Sequence, residues 1–472
     1  MLMHISSLPS GYSIGSLGKC AYRFVDFLSN SGFSYWQVLP LGVTDSYGSP
    51  YKSRGFYSLN PYFIDIEELY SEGLLTFSEL ISAKENTPYL AEYERLASER
   101  EALLYSAAMR VTNRTATLDF INKHPDIGAA AYFLALKDTY AAPWRKWARD
   151  CVPDGERLFF WQFLHFEFYK EWQRLKAYAN SHGVELIGDM PIYPDYESAD
   201  VWGRPECFLL DKNMLPREVA GVPPDCFSSV GQLWGNPVYN FTAMRKDGFE
   251  FWHRRFKFAF EMYDAVRIDH FRAFDAYYAI PRTVNNAAHG RWKRGPGREF
   301  IDALNMWRAD KTVIAEDLGE ITDSVRNLLE YSGLACTRVI QFGAPFGGAF
   351  IHLPHAYSSC TFAYTGTHDN NTLLGAVWEM GECERRRLFE YFGIRHNDYT
   401  LACEDIIKGL MRSSATAVII PVQDILGFGA DTRMNTPGRR EGNWRYRITD
   451  DNLCYLSENF EKWKNINLLY DR

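Results

Sequence analysis

The sequence predicts an α/β fold, a (β/α)₈ barrel with large helical and loop insertions. Three observations point to it. Short apolar runs rich in β-branched residues recur eight times, each ending in polar residues of the kinds that do chemistry. Amphipathic helical patterns lie between most of them, and two of the intervals are too long for a single crossover. Continuous apolar runs of this length suit strands buried on both faces, as in a parallel sheet. Eight such strands alternating with helices suit a closed barrel better than an open sheet.

In chain order the eight runs are MLMHISS (1–7), YWQVLPL (35–41), ELIGDMPIY (185–193), DAVRIDHF (264–271), TVIAEDLG (312–319), CTRVIQFG (336–343), TFAYTGTHD (361–369) and AVIIPVQDIL (417–426). AYRFVDFLSNSG (21–32) has helical spacing and then a Gly stop, and REFIDALNMWRAD (298–310) and DSVRNLLEYSG (323–333) read the same way. Residues 65–180, between runs two and three, carry further amphipathic segments and read as a mainly helical insertion. Residues 193–260 are rich in Pro, Gly, Trp and Asp. A long irregular connection is usually functional or disordered, and the aromatic residues here favour an ordered loop covering the barrel mouth. Residues 1–472 then form a single barrel unit.

Composition narrows the function. Hydrophobic residues at 46% and charged residues at 23% are ordinary globular usage, which argues against disorder. The formal net charge of −8 argues against a nucleic-acid partner. No run approaches the length needed to cross a bilayer, and the first residues lack a basic, then apolar, leader pattern. The nine Cys are scattered singly without CxxC spacing, which suits reduced thiols and a cytoplasmic setting. No P-loop, HExxH, dinucleotide glycine fingerprint or EF-hand loop is present, so no cofactor or metal is expected. Aromatic content of 16% fits either a large core or surfaces that stack on sugar rings.

In a barrel of this kind the reactive groups sit at the C-terminal ends of the strands. Those positions hold Asp189, Arg267, Asp269, Glu316, Asp317, His368 and Asp369. Crowding carboxylates on one rim costs energy unless cations or function require it. Breaking a glycosidic bond gives a reason: one carboxylate attacks the anomeric carbon while a protonated one gives its proton to the departing oxygen. A third can hold sugar hydroxyls. Arg267 and Asp269 are two residues apart and share a strand face, so the guanidinium is expected to keep the attacking carboxylate ionised. Asp317 follows Glu316, should point the other way, and reads as loop structure.

The motifs then become recognisable. HISSLPSGYSIGSLG (4–18), WQVLPLG (36–42), SPY (49–51), GDMPIY (188–193), SADVW (198–202) and AGVPPD (220–225) occur in order. GQLWGNPVY (231–239), VRIDHFR (266–272), GRWKRGPG (290–297), IAEDLG (314–319), TGTHDN (365–370) and RMNTPGRREGNWRYR (433–447) follow. Together they resemble the 4-α-glucanotransferases called amylomaltases or disproportionating enzymes, glycoside hydrolase family 77. The resemblance implies that Asp269 is the nucleophile, Glu316 the general acid/base and Asp369 the transition-state stabiliser. It implies that Arg267, His368, Asp189 and Tyr51 line the donor-sugar site, and that Trp234, Asn236 and Phe227 belong to the loop over the cleft. Donors and acceptors would be maltooligosaccharides and α-1,4-glucans, with glucose also an acceptor. The chain departs from the family pattern at Lys52, where Gln is usual, at Cys226, where Tyr precedes Phe, and at Asn371, often Asp.

The implied reaction is a retaining double displacement, with the two reacting carboxyls about 5–5.5 Å apart, a raised Glu316 and an ionised Asp269. An α-glucan hydrolase of the α-amylase kind and an inactive glucan-binding protein are the competing readings.

Overall fold

The computed structural model describes residues 1–224, 230–343, 350–439 and 441–472. Among the described residues eleven strands are formed: β1 (Tyr35–Gln37), β2 (Glu185–Met190), β3 (Glu218–Val222), β4 (Gln232–Pro237), β5 (Ala265–Ile268), β6 (Ala276–Pro281), β7 (Arg291–Arg294), β8 (Thr312–Ala315), β9 (Ala335–Val339), β10 (Thr361–Tyr364) and β11 (Ala417–Ile419). Seven of them make one parallel sheet in the order β1-β2-β5-β8-β9-β10-β11. Leu2 joins its two edges, bridging Gln37 on one side and Pro421 on the other, both parallel. Leu2 N–H donates to the Ile420 carbonyl (2.8 Å), and Met3 N–H donates to that of Gln37 (3.1 Å). The sheet therefore curls into a barrel whose eighth stave is a single residue.

The first of the eight expected strands is thus reduced to a bridge. Beyond Met3 the chain turns into a short 3-10 helix, Ile5–Ser7, packed closely on Gly15. A Cβ at Gly15 would lie 2.0 Å from the Ile5 carbonyl oxygen, so that backbone approach requires glycine. The last run also stops early. Pro421 has no N–H for the ladder, and the chain enters the helix Val422–Leu426 there. Residues Ile340–Gly343, read as strand, are helical.

The strands are apolar because both faces are covered. All four residues of β5 are buried, as are the last five of β2. Helix Lys19–Asn30 presents Ala21, Phe24, Val25, Phe27 and Leu28 to the barrel, and Phe24 meets Trp36 of β1 edge-on at 5.1 Å. Helix Arg298–Arg308 buries Phe300, Ile301 and Leu304. Helix Asp323–Ser332 buries Val325 and Leu328 and ends at Gly333, whose φ of +63° supplies the left-handed cap. Each such side chain contributes roughly 1.5–3 kcal/mol when fully buried.

Between β1 and β2 run Ile66–Ser71, Phe77–Ser82, Glu101–Met109, Thr115–Lys123, Pro125–Tyr140 and the long Gly155–Ser181 helix. Trp172 of the last is buried and donates to the Met262 carbonyl (2.9 Å), fixing that helix beside the start of β5. A second, antiparallel sheet has the order β4-β3-β6-β7. Its strands β3 and β4 lie within 193–260, where Gly and Pro hide the alternation in the sequence. Among the described residues no helix is long and apolar enough to cross a membrane.

Candidate active site

Asp189 on β2 and Arg267 on β5 are register partners, so their side chains leave the sheet side by side. One guanidinium nitrogen of Arg267, Nη1, donates to both Asp189 oxygens at 2.8 Å and to Asp269 Oδ1 at 3.2 Å. Asp189 is sealed, whereas Asp269 leaves 27% of its side chain open to the cleft. Such a buried pair repays its desolvation only with good geometry and extra hydrogen bonds. Tyr51 supplies one of these, its hydroxyl donating to Asp189 Oδ2 at 2.7 Å.

Glu316, just past β8, is tied to the turn that follows Asp269. The backbone N–H of His270 donates to Glu316 Oε2 (2.7 Å), and that of Leu318 donates to Oε1 (2.7 Å). Phe271 N–H donates to the Glu316 carbonyl (3.0 Å). His270 reaches this position in the left-handed region, at φ +53°, which is uncommon for a residue with a side chain. The ends of β5 and β8 are therefore locked together next to both carboxyl groups.

His368 and Asp369 follow β10 in a loop held from below. Gln341 Nε2 donates to the carbonyls of Thr365 and Asn371, each at 2.9 Å. Asp424 accepts from Thr365 Oγ1 (2.5 Å) and from Leu373 N–H (2.7 Å). The Tyr51 and His368 rings stack at 5.0 Å, and Trp444 packs on both. Asp369 Oδ1 lies 3.4 Å from His368 Nε2 and accepts from Asn435 Nδ2 at 2.6 Å. Arg433 donates to the Asp369 carbonyl at 2.6 Å.

The electrostatics follow from this packing. Burial raises Glu316 to about 7; Arg267 and two backbone N–H groups pull it down, and Asp269 pushes it up. Burial also raises Asp269, to about 6, against the pull of Arg267. The expectation that Arg267 would hold Asp269 low is corrected here. The guanidinium is shared with the sealed Asp189, whose own charge also pushes Asp269 up. Glu316 is the higher of the two. Burial disfavours the Asp369 carboxylate, but His368 and the Asn435 hydrogen bond outweigh it and bring Asp369 to about 2. Burial opposes the charged form of His368; Asp369 reverses that and raises it.

Trp234 on β4 meets the ring of His270 edge-on at 4.9 Å, placing an indole beside the turn that follows Asp269. Asn236 donates to the Pro194 carbonyl (2.8 Å) and ties β4 to the segment that follows β2. Phe227 and Cys226 lie outside the described residues. Lys52 is exposed beside Tyr51. Asn371 Oδ1 accepts from Thr372 N–H (2.8 Å), a contact within its own loop. Asp317 accepts from Thr337 N–H (2.9 Å) and from Arg338 (2.6 Å), so it joins β8 to β9 and turns away from the cleft.

The structure thus gathers Asp189, Arg267, Asp269, Glu316, His368, Asp369 and Tyr51. It adds Arg433, Asn435 and Trp444, which strand-end reasoning could not reach because they come from an irregular segment after β11. Their signal was the motif RMNTPGRREGNWRYR. Gln341 and Asp424 left no sequence signal of their own. Among the described residues no group of three or more His, Cys, Asp or Glu side chains is placed to hold a metal ion.

Comparison with known proteins agrees with this geometry. The family model described as 4-alpha-glucanotransferase matches residues 3–452. The 4-alpha-glucanotransferase of Aquifex aeolicus is 40% identical over 96% of this chain and 95% of its own. The chloroplastic/amyloplastic 4-alpha-glucanotransferase of Arabidopsis thaliana is 37% identical over 100% of this chain and 85% of its own. The amylomaltase of Streptococcus agalactiae, solved in complex with acarbose, superposes with a TM-score of 0.94 at 32% identity, covering 100% of this chain and 99% of that one. The chain belongs to the 4-alpha-glucanotransferases of glycoside hydrolase family 77, enzymes that act on α-glucans.

Proposed function

We propose that this protein transfers a segment of a 1,4-α-glucan to the 4-hydroxyl of an acceptor glucan or glucose, through a covalent glycosyl-enzyme. The observation that carries the mechanism is the Asp269–Glu316 pair. The two lie on neighbouring strand ends, locked by the His270 N–H, with Glu316 the higher in pKa. Asp269 attacks the anomeric carbon as Glu316 protonates the leaving glycosidic oxygen. The old C–O bond breaks, and the sugar is held on Asp269 through an ester. Glu316, now ionised, takes the proton of the acceptor 4-hydroxyl; the new C–O bond forms and Asp269 departs. Two inversions retain configuration.

The donor sugar would rest on Tyr51, with Asp189, Arg267 and His368 around it and Asp369 holding its hydroxyls. Asp369 is suited to this because it stays ionised at any working pH. The whole chain would act as one catalytic barrel, with 65–180 a helical insertion and 193–260 the cover of the cleft, where Trp234, Asn236 and Phe227 would face an acceptor. Trp234 beside His270 supports that placement. A covered, aromatic acceptor site favours sugar over water as the second nucleophile. The eight described cysteines are free thiols, in keeping with a reducing cytoplasm.

The test is incubation with maltotriose alone. Longer and shorter oligosaccharides at constant total reducing ends are expected. Rising reducing ends without longer products would make water the acceptor and the protein a hydrolase. No products at all would leave a glucan-binding protein.

A further inference from the structure

The geometry points to a second sugar-binding surface, a platform at Trp378 that stacks against a distant unit of a long α-glucan on the Asp369 side of the cleft. It rests on the reading of the protein as an α-glucan transferase and extends it to chain-length preference.

All 13 Trp lie among the described residues, and of these Trp378 is the only exposed one, at 65%. Tryptophan is on average highly buried, because it carries a large apolar area. Single exposed apolar residues are common on proteins; what sets this one apart is how it is fixed. Its ring stands edge-on to Tyr399, with centroids 4.8 Å apart and planes at 73°. Tyr399 is itself packed edge-on by Phe389 at 6.0 Å and covered by the Arg385 guanidinium at 5.0 Å. Arg385 also donates to the carbonyls of Val377 (3.5 Å) and Met380 (3.1 Å), which flank Trp378 in sequence. Backbone and ring are held by one cluster. An indole that is open to solvent yet fixed in orientation suits binding, since little freedom is lost when a ligand arrives.

Its position connects it to the cleft. Trp378 lies on the helix Leu373–Glu379, whose N-cap, Thr372, is three residues beyond Asp369. The rise from Thr372 to Trp378 is about 9 Å at 1.5 Å per residue. Glu379, the next residue, is close enough to act electrostatically on Arg433, which donates to the Asp369 carbonyl. The start of this helix is pinned by Asp424 through Leu373 N–H. A chain leaving the cleft past Asp369 would meet the indole face as a flat apolar surface and the exposed Glu379 as a hydroxyl acceptor. A glucan unit offers both an apolar face and hydroxyl donors. The ligand class is therefore a neutral α-glucan several units long.

The experiment compares Trp378→Ala and Trp378→Phe with the unchanged chain, using maltotriose and long linear amylose as donors. The ratio of kcat/KM for amylose to that for maltotriose is expected to fall roughly two- to tenfold in Trp378→Ala, the worth of one aromatic contact. Trp378→Phe should recover part of it. An unchanged ratio, or equal loss on both donors, would overturn the platform. Retardation in an amylose-containing native gel, run in the Asp269→Asn background, reads binding without turnover. Trp378→Ala should weaken it, and equal retardation with and without the indole would overturn the proposal even if the transferase reading itself failed on maltotriose.

Discussion

A single nitrogen, Nη1 of Arg267, holds both oxygens of Asp189 at 2.8 Å and reaches Asp269 at 3.2 Å. Asp189 thus has the first claim on the cation, and Asp269 is oriented by what remains. Arg267→Lys keeps the charge but loses the planar fork that spans two carboxylates. A nucleophile displaced by about 1 Å costs roughly 10²-fold in rate. We expect kcat on maltotriose to fall by about that factor. Arg267→Met, which leaves two carboxylates without their cation, should lose about 3–5 kcal/mol in urea titrations.

In the proposed cycle the first chemical step needs Asp269 ionised and Glu316 protonated. That form gains population as pH rises through the Asp269 value of about 6 and loses it as pH rises through the Glu316 value of about 7. A narrow bell centred between the two is expected for kcat/KM, with limbs that belong to the coupled pair rather than to either residue. A flat profile from pH 5 to 9 would contradict the assignment.

Glu316→Gln removes the transferable proton but keeps the acceptor oxygen that faces the backbone N–H groups. Transfer from maltotriose should fall by about 10²–10⁴-fold. An α-glucosyl fluoride, whose leaving group needs no proton, should still load Asp269, and the glycosyl-enzyme should be visible by mass spectrometry. Asp269→Asn should give no adduct with either donor. Near-normal turnover of maltotriose by Glu316→Gln would reassign the acid.

Asn435, half-buried in the irregular segment after β11, gives Asp369 a side-chain hydrogen bond, while its backbone N–H donates to the His368 carbonyl (3.1 Å) and would do so in an alanine variant. Hydrogen bonds to charged groups contribute about 1.5–3 kcal/mol. Asn435→Ala should therefore lower kcat/KM about tenfold or more and move the unfolding midpoint little. A large loss of stability with unchanged kcat/KM would make Asn435 structural.

Asp317 is the converse case. It is adjacent to Glu316 and buried, but its partners are Thr337 and Arg338 on β9. Asp317→Ala leaves the Arg338 guanidinium without its carboxylate and a buried N–H unpaired, and should cost about 3 kcal/mol or more in a denaturant titration.

The barrel staves were legible because strands covered on both faces are apolar throughout, as in β5, and helices covered on one face are amphipathic, as in Lys19–Asn30. Strand-end positions then exposed Asp189, Arg267, Asp269, Glu316, His368 and Asp369 to inspection. What stayed hidden has physical causes. The first stave is one bridge at Leu2, too short for any periodicity. Strands β3 and β4 are interrupted by Gly and Pro. Asn435 and Trp444 reach the site from irregular backbone, where no period points a side chain anywhere. The burial that raises Asp269 comes from walls far apart in sequence.

The bridge at Leu2 also sets an order of events. Leu2 can bridge Gln37 early but waits for Pro421 to close the barrel. On the ribosome, the Pro421-facing side of Leu2 would stay open until that late segment is made. Unpaired edges of this kind recruit other chains, and distant pairings form late. Circular permutants that join residue 472 to residue 1 and open the chain beyond β1 would bring Leu2 much closer in sequence to Pro421. They should refold faster and aggregate less at the same final stability.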